Sequence, residues 1–248
     1  MEPALDTNIP EQKERLRRLF RVKATETEMM VQRGNRLDLV SMMRSDRNFH
    51  PQQIDLTGLR NPTLRPEALL QYRQQTGLFQ SRQEFSSVYF SATNPEDRIL
   101  VLYLGNEPGK QVAKKDFEIV LLFIQTQAFR HIILITETGL NSENNNFVIN
   151  RTLGYKIEVF LDTQLAFNRT KHALAPISTQ HIPARQVPQW ARDEQIQAEK
   201  LPMILNIDIL AKWYGANPYD GFQTEVISAT NETGIYYRIT RQAPAVRK

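Results

Sequence analysis

Between Pro10 and Gly34 the apolar residues Leu16, Leu19, Phe20, Met30 and Val31 fall on one stripe, with Lys23 and Thr27 at intermediate steps of the same face. A period near 3.6 predicts an amphipathic helix. Pro10 and Glu11 suit its first turn, where a missing N–H costs nothing and a carboxylate meets the positive end of the dipole, and Gly34 suits a left-handed cap. The outer face carries Arg15, Arg17, Arg18, Arg21 and Arg33, expected to form a solvated basic face rather than a dedicated nucleic-acid site.

From residue 35 to 65 periodicity is lost and prolines gather, which predicts loops with a short helix over 39–43 in a segment that reads as inserted. Pro66 to Arg73 restores helical spacing, closed by Gly77. Strands are expected at 87–91 and, after the turn residues Asn94-Pro95-Glu96-Asp97, at 99–104. The latter is apolar throughout, as in a strand covered on both faces. Helical spacing through Phe117, Val120, Leu121 and Ile124 precedes another apolar run at 132–136, and 155–161 adds a further strand. Strand, helix, strand at this spacing is a right-handed crossover unit.

Beyond Asn168 the composition shifts towards Pro176, Pro183 and Pro188. A helical stretch around 189–199, a short helix at 209–214 and strands at 222–227 and 235–240 follow, the last two joined by hairpin-turn residues. The expected class is therefore α+β. It comprises an N-terminal three-layer α/β domain (residues 1–165) with a small, mostly parallel sheet, and a small C-terminal α/β module (residues 166–248).

The apolar fraction of 41% is ample for packed cores, yet the longest apolar runs are far too short to span a bilayer. The opening Met1-Glu2-Pro3-Ala4-Leu5-Asp6 lacks the apolar stretch of a secretory signal, so an intracellular protein is expected and the sequons at Asn150, Asn168 and Asn231 read as chance. The absence of cysteine removes disulfides, iron–sulfur clusters and thiol catalysis. Net charge is +4, from 31 basic against 27 acidic residues spread along the chain, which permits contact with nucleic acid without pointing to it.

Catalytic motifs are not found. Gly105-Asn106-Glu107-Pro108-Gly109-Lys110 follows a strand as a phosphate-binding loop would. It has three residues between its glycines where that motif needs four, and Gln111 where it needs Ser or Thr. His50, His131, His172 and His181 show no zinc-binding pairing, and His131, beside a buried strand, is expected to be structural. Glu107, Glu118, Glu137, Glu158 and Asp162 lie near strands without a spacing that singles out a catalytic pair. No cofactor, metal or small-molecule ligand is expected.

The C-terminal residues carry a resemblance. Leu201-Pro202-x-Ile204, Asp208, the helix ending Trp213-Tyr214-Gly215, the turn closing on Gly221, and Glu232-Thr233 before Tyr236-Tyr237-Arg238 resemble an assembly module of multisubunit RNA polymerases. That module is shared by a small archaeal polymerase subunit and the fifth-largest common subunit of eukaryotic nuclear RNA polymerases. His172-Ala173-Leu174-Ala175-Pro176 resembles the start of the module. The first helix with Arg33-Gly34, and Glu107-Pro108 after a strand, resemble the eukaryotic subunit's jaw domain. The chain departs from the pattern at Ile209, where the family has proline, and at 215–221, where two basic residues are missing. It departs again in the loop 138–146, where an asparagine-rich run stands for the family's loop towards downstream DNA.

The resemblance implies a non-catalytic subunit of a DNA-directed RNA polymerase acting in transcription, in a protist or viral version or a paralogue devoted to one polymerase, such as RNA polymerase I. Its place would be the nucleus, or the nucleolus for the latter. Its module would dock on the largest subunit and neighbouring small common subunits through Leu201, Pro202, Ile204, Trp213, Tyr214, Gly215, Tyr219, Gly221, Tyr236, Tyr237 and Arg238. Its jaw would lie near downstream duplex, with indirect or non-specific contact from Arg15, Arg17, Arg18, Lys114, Lys115, Asn141 and Ser142. A stand-alone nucleic-acid binder and a degenerate nuclease are the competing classes.

Overall fold

A computed structural model describes residues 10–37, 82–92, 94, 96–104, 110–114, 117–118, 120–122, 129–150, 156–227 and 232–244. The expected helix over 66–77, the inserted segment from residue 38 onwards, the loop 105–109 and Lys115 lie outside the described residues. The chain divides into two compact units, the first ending at Phe167 and the second beginning at Asn168. The class is α+β, with a mixed sheet in each unit.

The first unit opens with α1 (Pro10–Gln32). Leu19, Phe20, Val22, Met29 and Met30 are buried on it, and Gly34 at φ 79 ends it with the left-handed turn expected there. Val31, placed on the stripe by the sequence, is 45% exposed instead. Five strands follow: β1 (Asn35–Leu37), β2 (Ser87–Ser91), β3 (Arg98–Leu104), β4 (His131–Thr136) and β5 (Lys156–Leu161), joined in that order. The pairs β3–β4 and β4–β5 are parallel, whereas β1–β2 and β2–β3 are antiparallel. The sheet is thus evenly mixed rather than mostly parallel. The turn after β2 is too short for a crossover and forces a hairpin.

One face packs on Phe117, Val120 and Phe129, together with Phe147 and Val148 of α2 (Ser142–Asn150). The expected loop over 138–146 is therefore helical in its second half. Asn141 accepts the Asn144 N–H at 2.8 Å as an N-cap, so a residue type that disfavours helix interiors serves here to start one. The other face meets α1 through a buried polar contact. Lys23 Nζ sits 2.6 Å from Glu26 Oε2 and bonds Ser87, and Tyr103 donates to Glu26 at 3.0 Å. Burial first, and the Glu26 charge second, push the Tyr89 and Tyr103 hydroxyls well above their usual range.

The basic face of α1 is only partly solvated. Arg33 reaches Glu158 on β5 with both guanidinium nitrogens, at 3.2 and 2.7 Å, and its side chain is 4% exposed. Arg15 and Arg18 pair with Glu137. A third pair, Arg82 with Asp162, is buried beside the end of β5. A buried pair broken on one side leaves an uncompensated charge, at a cost of about 3–5 kcal/mol.

The second unit holds β6 (Ser178–Ile182), β7 (Met203–Leu205), β8 (Gly221–Ile227) and β9 (Thr233–Arg241) in the order β6-β8-β9-β7. The β7–β9 pair is parallel and the others are antiparallel. Helix α3 (Val187–Asp193) lays Trp190 on Ile182 and Ile239. Helix α4 (Ile209–Trp213) packs Ala211 with Ile204 and Phe222. The sequence reading missed β6 because Ser-Thr-Gln-His alternates without an apolar run, as a half-exposed edge strand does.

Burial holds the His131 imidazole below its ordinary pKa of 6.5, although Glu158 lies 2.7 Å away and opposes the shift. Glu158 is pushed up by its own burial, but Arg33, Lys156 and His131 hold it well below 4.5. Both groups bind protons more weakly folded than unfolded, so the stability they lend is whole above about pH 6.5 and falls on acidification. Thermal melts from pH 7 to 4 should show a falling midpoint for the first unit, with the decline between pH 6.5 and 5 flattened in His131→Phe. An identical profile in that variant would contradict the assignment.

Candidate functional site

The sequence-selected residues of the C-terminal unit separate into a core set and an outward set. Trp213 is 1% exposed and Ile204 is 5% exposed, so both act through packing. Tyr214 stands edge-on to Phe222, with centroids 5.8 Å apart. Leu201 packs against the cluster under Trp190, and the Pro202 carbonyl accepts the Ile239 N–H at 3.0 Å. Gly215 takes φ 66 at the end of α4, and at Gly221 an added Cβ would come within 3.0 Å of the Trp190 ring.

Tyr219, Tyr236 and Arg238 face outward, with Tyr219 61% and Tyr236 54% exposed. The Tyr236 ring lies over Gly234, where a Cβ would meet it at 3.2 Å. Tyr237 is half-buried, edge-on to Trp190 at 5.6 Å, and donates its hydroxyl to Glu194 at 2.7 Å. That bond raises its pKa.

Tyr219 is the most unusual of these. Its φ of 73 lies in the left-handed region, which a bulky side chain rarely adopts and which costs on the order of 1–3 kcal/mol. Backbone bonds on both sides hold it there, with the Tyr219 N–H to the Thr240 carbonyl at 2.8 Å and the Thr240 N–H to the Asp220 carbonyl at 2.8 Å. Asp220 fixes the turn further. Its carboxylate accepts N–H bonds from Ala184 and Asn217, both at 2.7 Å, and meets His181 Nε2 at 2.8 Å. Burial pushes this carboxyl up, but those three bonds prevail and hold it below the usual range. The Arg241 guanidinium lies over the Tyr219 ring, 5.0 Å from its centroid.

Sequence reading missed Arg241, Asp220 and His181. The signal for Asp220 was a carboxylate closing a turn beside glycine, which occurs in many turns without consequence.

In the first unit the proposed DNA-proximal residues are largely engaged. Arg15 and Arg18 hold Glu137, exposed Arg17 lies 3.6 Å from Glu14, and Lys114 pairs with Glu143 at 2.7 Å. Asn141 caps α2, and Ser142 is exposed in its first turn. The buried carboxylates Glu158 and Asp162 each carry an arginine. Among the described residues no group of three or more His, Asp or Glu could hold a metal ion, and no helix is long and apolar enough to cross a membrane.

Trp213→Ala should destabilise the second unit by about 3–5 kcal/mol. Tyr219→Gly should leave its stability unchanged or raise it by up to about 1 kcal/mol, because glycine adopts positive φ without strain. Chemical denaturation of the two variants checks both, and a large loss in Tyr219→Gly would make that residue part of the core. Comparison with protein-family models and with curated proteins finds no match to this chain.

Proposed function

We propose that this chain is a non-catalytic subunit of a multisubunit DNA-directed RNA polymerase. On this reading its C-terminal unit docks on the largest subunit and neighbouring small common subunits, and its N-terminal unit serves as the jaw near downstream DNA. The observation that carries the reading is the outward presentation of Tyr219, held in a strained conformation by the backbone bonds to Thr240 and the Asp220 turn. Strain maintained on an exposed aromatic favours a role in recognition, and tyrosine and arginine are the residue types that dominate protein interfaces. The motif residues that resemble the polymerase module support it further, since they fall within one compact unit, some as its core and some on its surface.

The same reading makes DNA contact secondary. Arginines already paired with carboxylates gain less from phosphate than unpaired ones, and such contact is non-specific and salt-dependent. The protein then acts in the nucleus, or in the nucleolus if it serves RNA polymerase I.

In a native extract separated by size, the chain should co-elute with DNA-dependent RNA synthesis, and Tyr219→Gly should lower the co-eluting fraction about tenfold, the effect of roughly 1.4 kcal/mol at an interface. Elution of the wild-type chain alone, away from that activity, would overturn the proposal. For the jaw, Arg17→Glu should reduce the log–log salt slope of DNA binding by the assembled enzyme by about 1. An unchanged slope would remove Arg17 from any role at the duplex.

A further inference from the structure

Strand β7 is the outer strand of its sheet. It pairs with β9 through alternate residues: the Pro202 carbonyl accepts from Ile239, and the Asn206 N–H donates to the Arg241 carbonyl at 2.8 Å. In a parallel ladder of this register the backbone groups of Met203 and Leu205 point away from β9. The Leu205 carbonyl is taken by the Asp208 N–H at 2.9 Å. Among the described residues, that leaves the Met203 N–H and C=O and the Leu205 N–H along the open edge.

The side chains beside this edge are equally open. Met203 is 67% exposed and Leu205 is 40% exposed. The two point to one face, and Leu205 stands opposite Arg241. The Arg241 guanidinium is stacked on Tyr219, and among the described residues no carboxylate lies within ion-pair distance of it. A guanidinium stacked on a ring keeps its N–H edge available for a carboxylate.

We propose that the β7 edge receives an extended segment of a partner protein as an added strand. One apolar side chain of that segment lies on Met203 and Leu205, and an Asp or Glu pairs with Arg241 above Tyr219. Open N–H and C=O groups in strand geometry are matched by another extended backbone, which is the basis of recognition by strand addition. The unpaired cation selects an acidic residue, since electrostatic complementarity sets register and excludes wrong partners. A second copy of this chain fits less well, because β7 is three residues long and carries no carboxylate to set against Arg241. The inference rests on the docking reading above, of which it specifies the contact.

The test uses tagged full-length chain expressed in its native cell. Met203→Pro removes an N–H that the sheet itself does not use and blocks the edge, a substitution edge strands tolerate. Met203→Ala keeps the edge. Recovery of the large polymerase chains should fall about tenfold or more with the proline variant and less than about threefold with alanine, a tenfold loss corresponding to about 1.4 kcal/mol. Should Met203→Pro lose the fold by circular dichroism, a photo-crosslinking benzoylphenylalanine at position 203 decides. Its crosslink should map to one extended segment of a partner chain with an Asp or Glu within a few residues. Recovery undiminished by the proline, or a crosslink to a second copy or to a segment without a carboxylate, overturns the strand-addition inference alone. Absence of polymerase chains with the wild-type protein overturns the docking reading and this inference with it.

Discussion

Asp220 gathers three stretches of chain that are distant in sequence. Its carboxylate accepts the Ala184 and Asn217 N–H groups and meets His181, while its carbonyl accepts from Thr240. A buried carboxylate is tolerated only when its lone pairs are filled in this way, so the turn between α4 and β8 has little freedom. Tyr219, the preceding residue, is thereby held at positive φ, and Gly221, the following one, is drawn under Trp190. The aromatic surface of the unit and its core share this one anchor.

The first unit uses buried ion pairs for a related purpose. Apolar contacts alone would let α1 slide along the sheet with modest loss, because packing is non-directional. Lys23 with Glu26 and Tyr103, and Arg33 with Glu158, each have one productive geometry. They add directionality where the hydrophobic stripe has none. Arg15 and Arg18, which the sequence suggests for phosphate, are likewise paired, with Glu137, and this moves the weight of the functional reading to the C-terminal unit.

Long periodic elements were legible from sequence. The spacing from Pro10 to Gly34 anticipates α1, and the apolar runs anticipate β3 and β4 within a residue. Elements whose signal is polar were not. Helix α2 hides in an asparagine-rich run because its cap and its interior use the same residue type, and β6 hides because an edge strand needs no continuous apolar face. At the candidate site, Tyr219 is among the residues that the resemblance selects. Its conformation, and the alignment of Arg241 with it, arise from bonds to Thr240 and Asp220 across the sheet, which no local pattern encodes. Arg33 was misread as solvated for a similar reason, since its partner lies 125 positions away.

The most direct test of the account is affinity purification of the tagged chain from its native cell, with copurifying chains identified by mass and quantified. The account predicts two very large polymerase subunits in equal amount with the tagged chain, the identity of the largest naming the enzyme it serves. Recovery of the chain without them, under salt that preserves the polymerase, would contradict it.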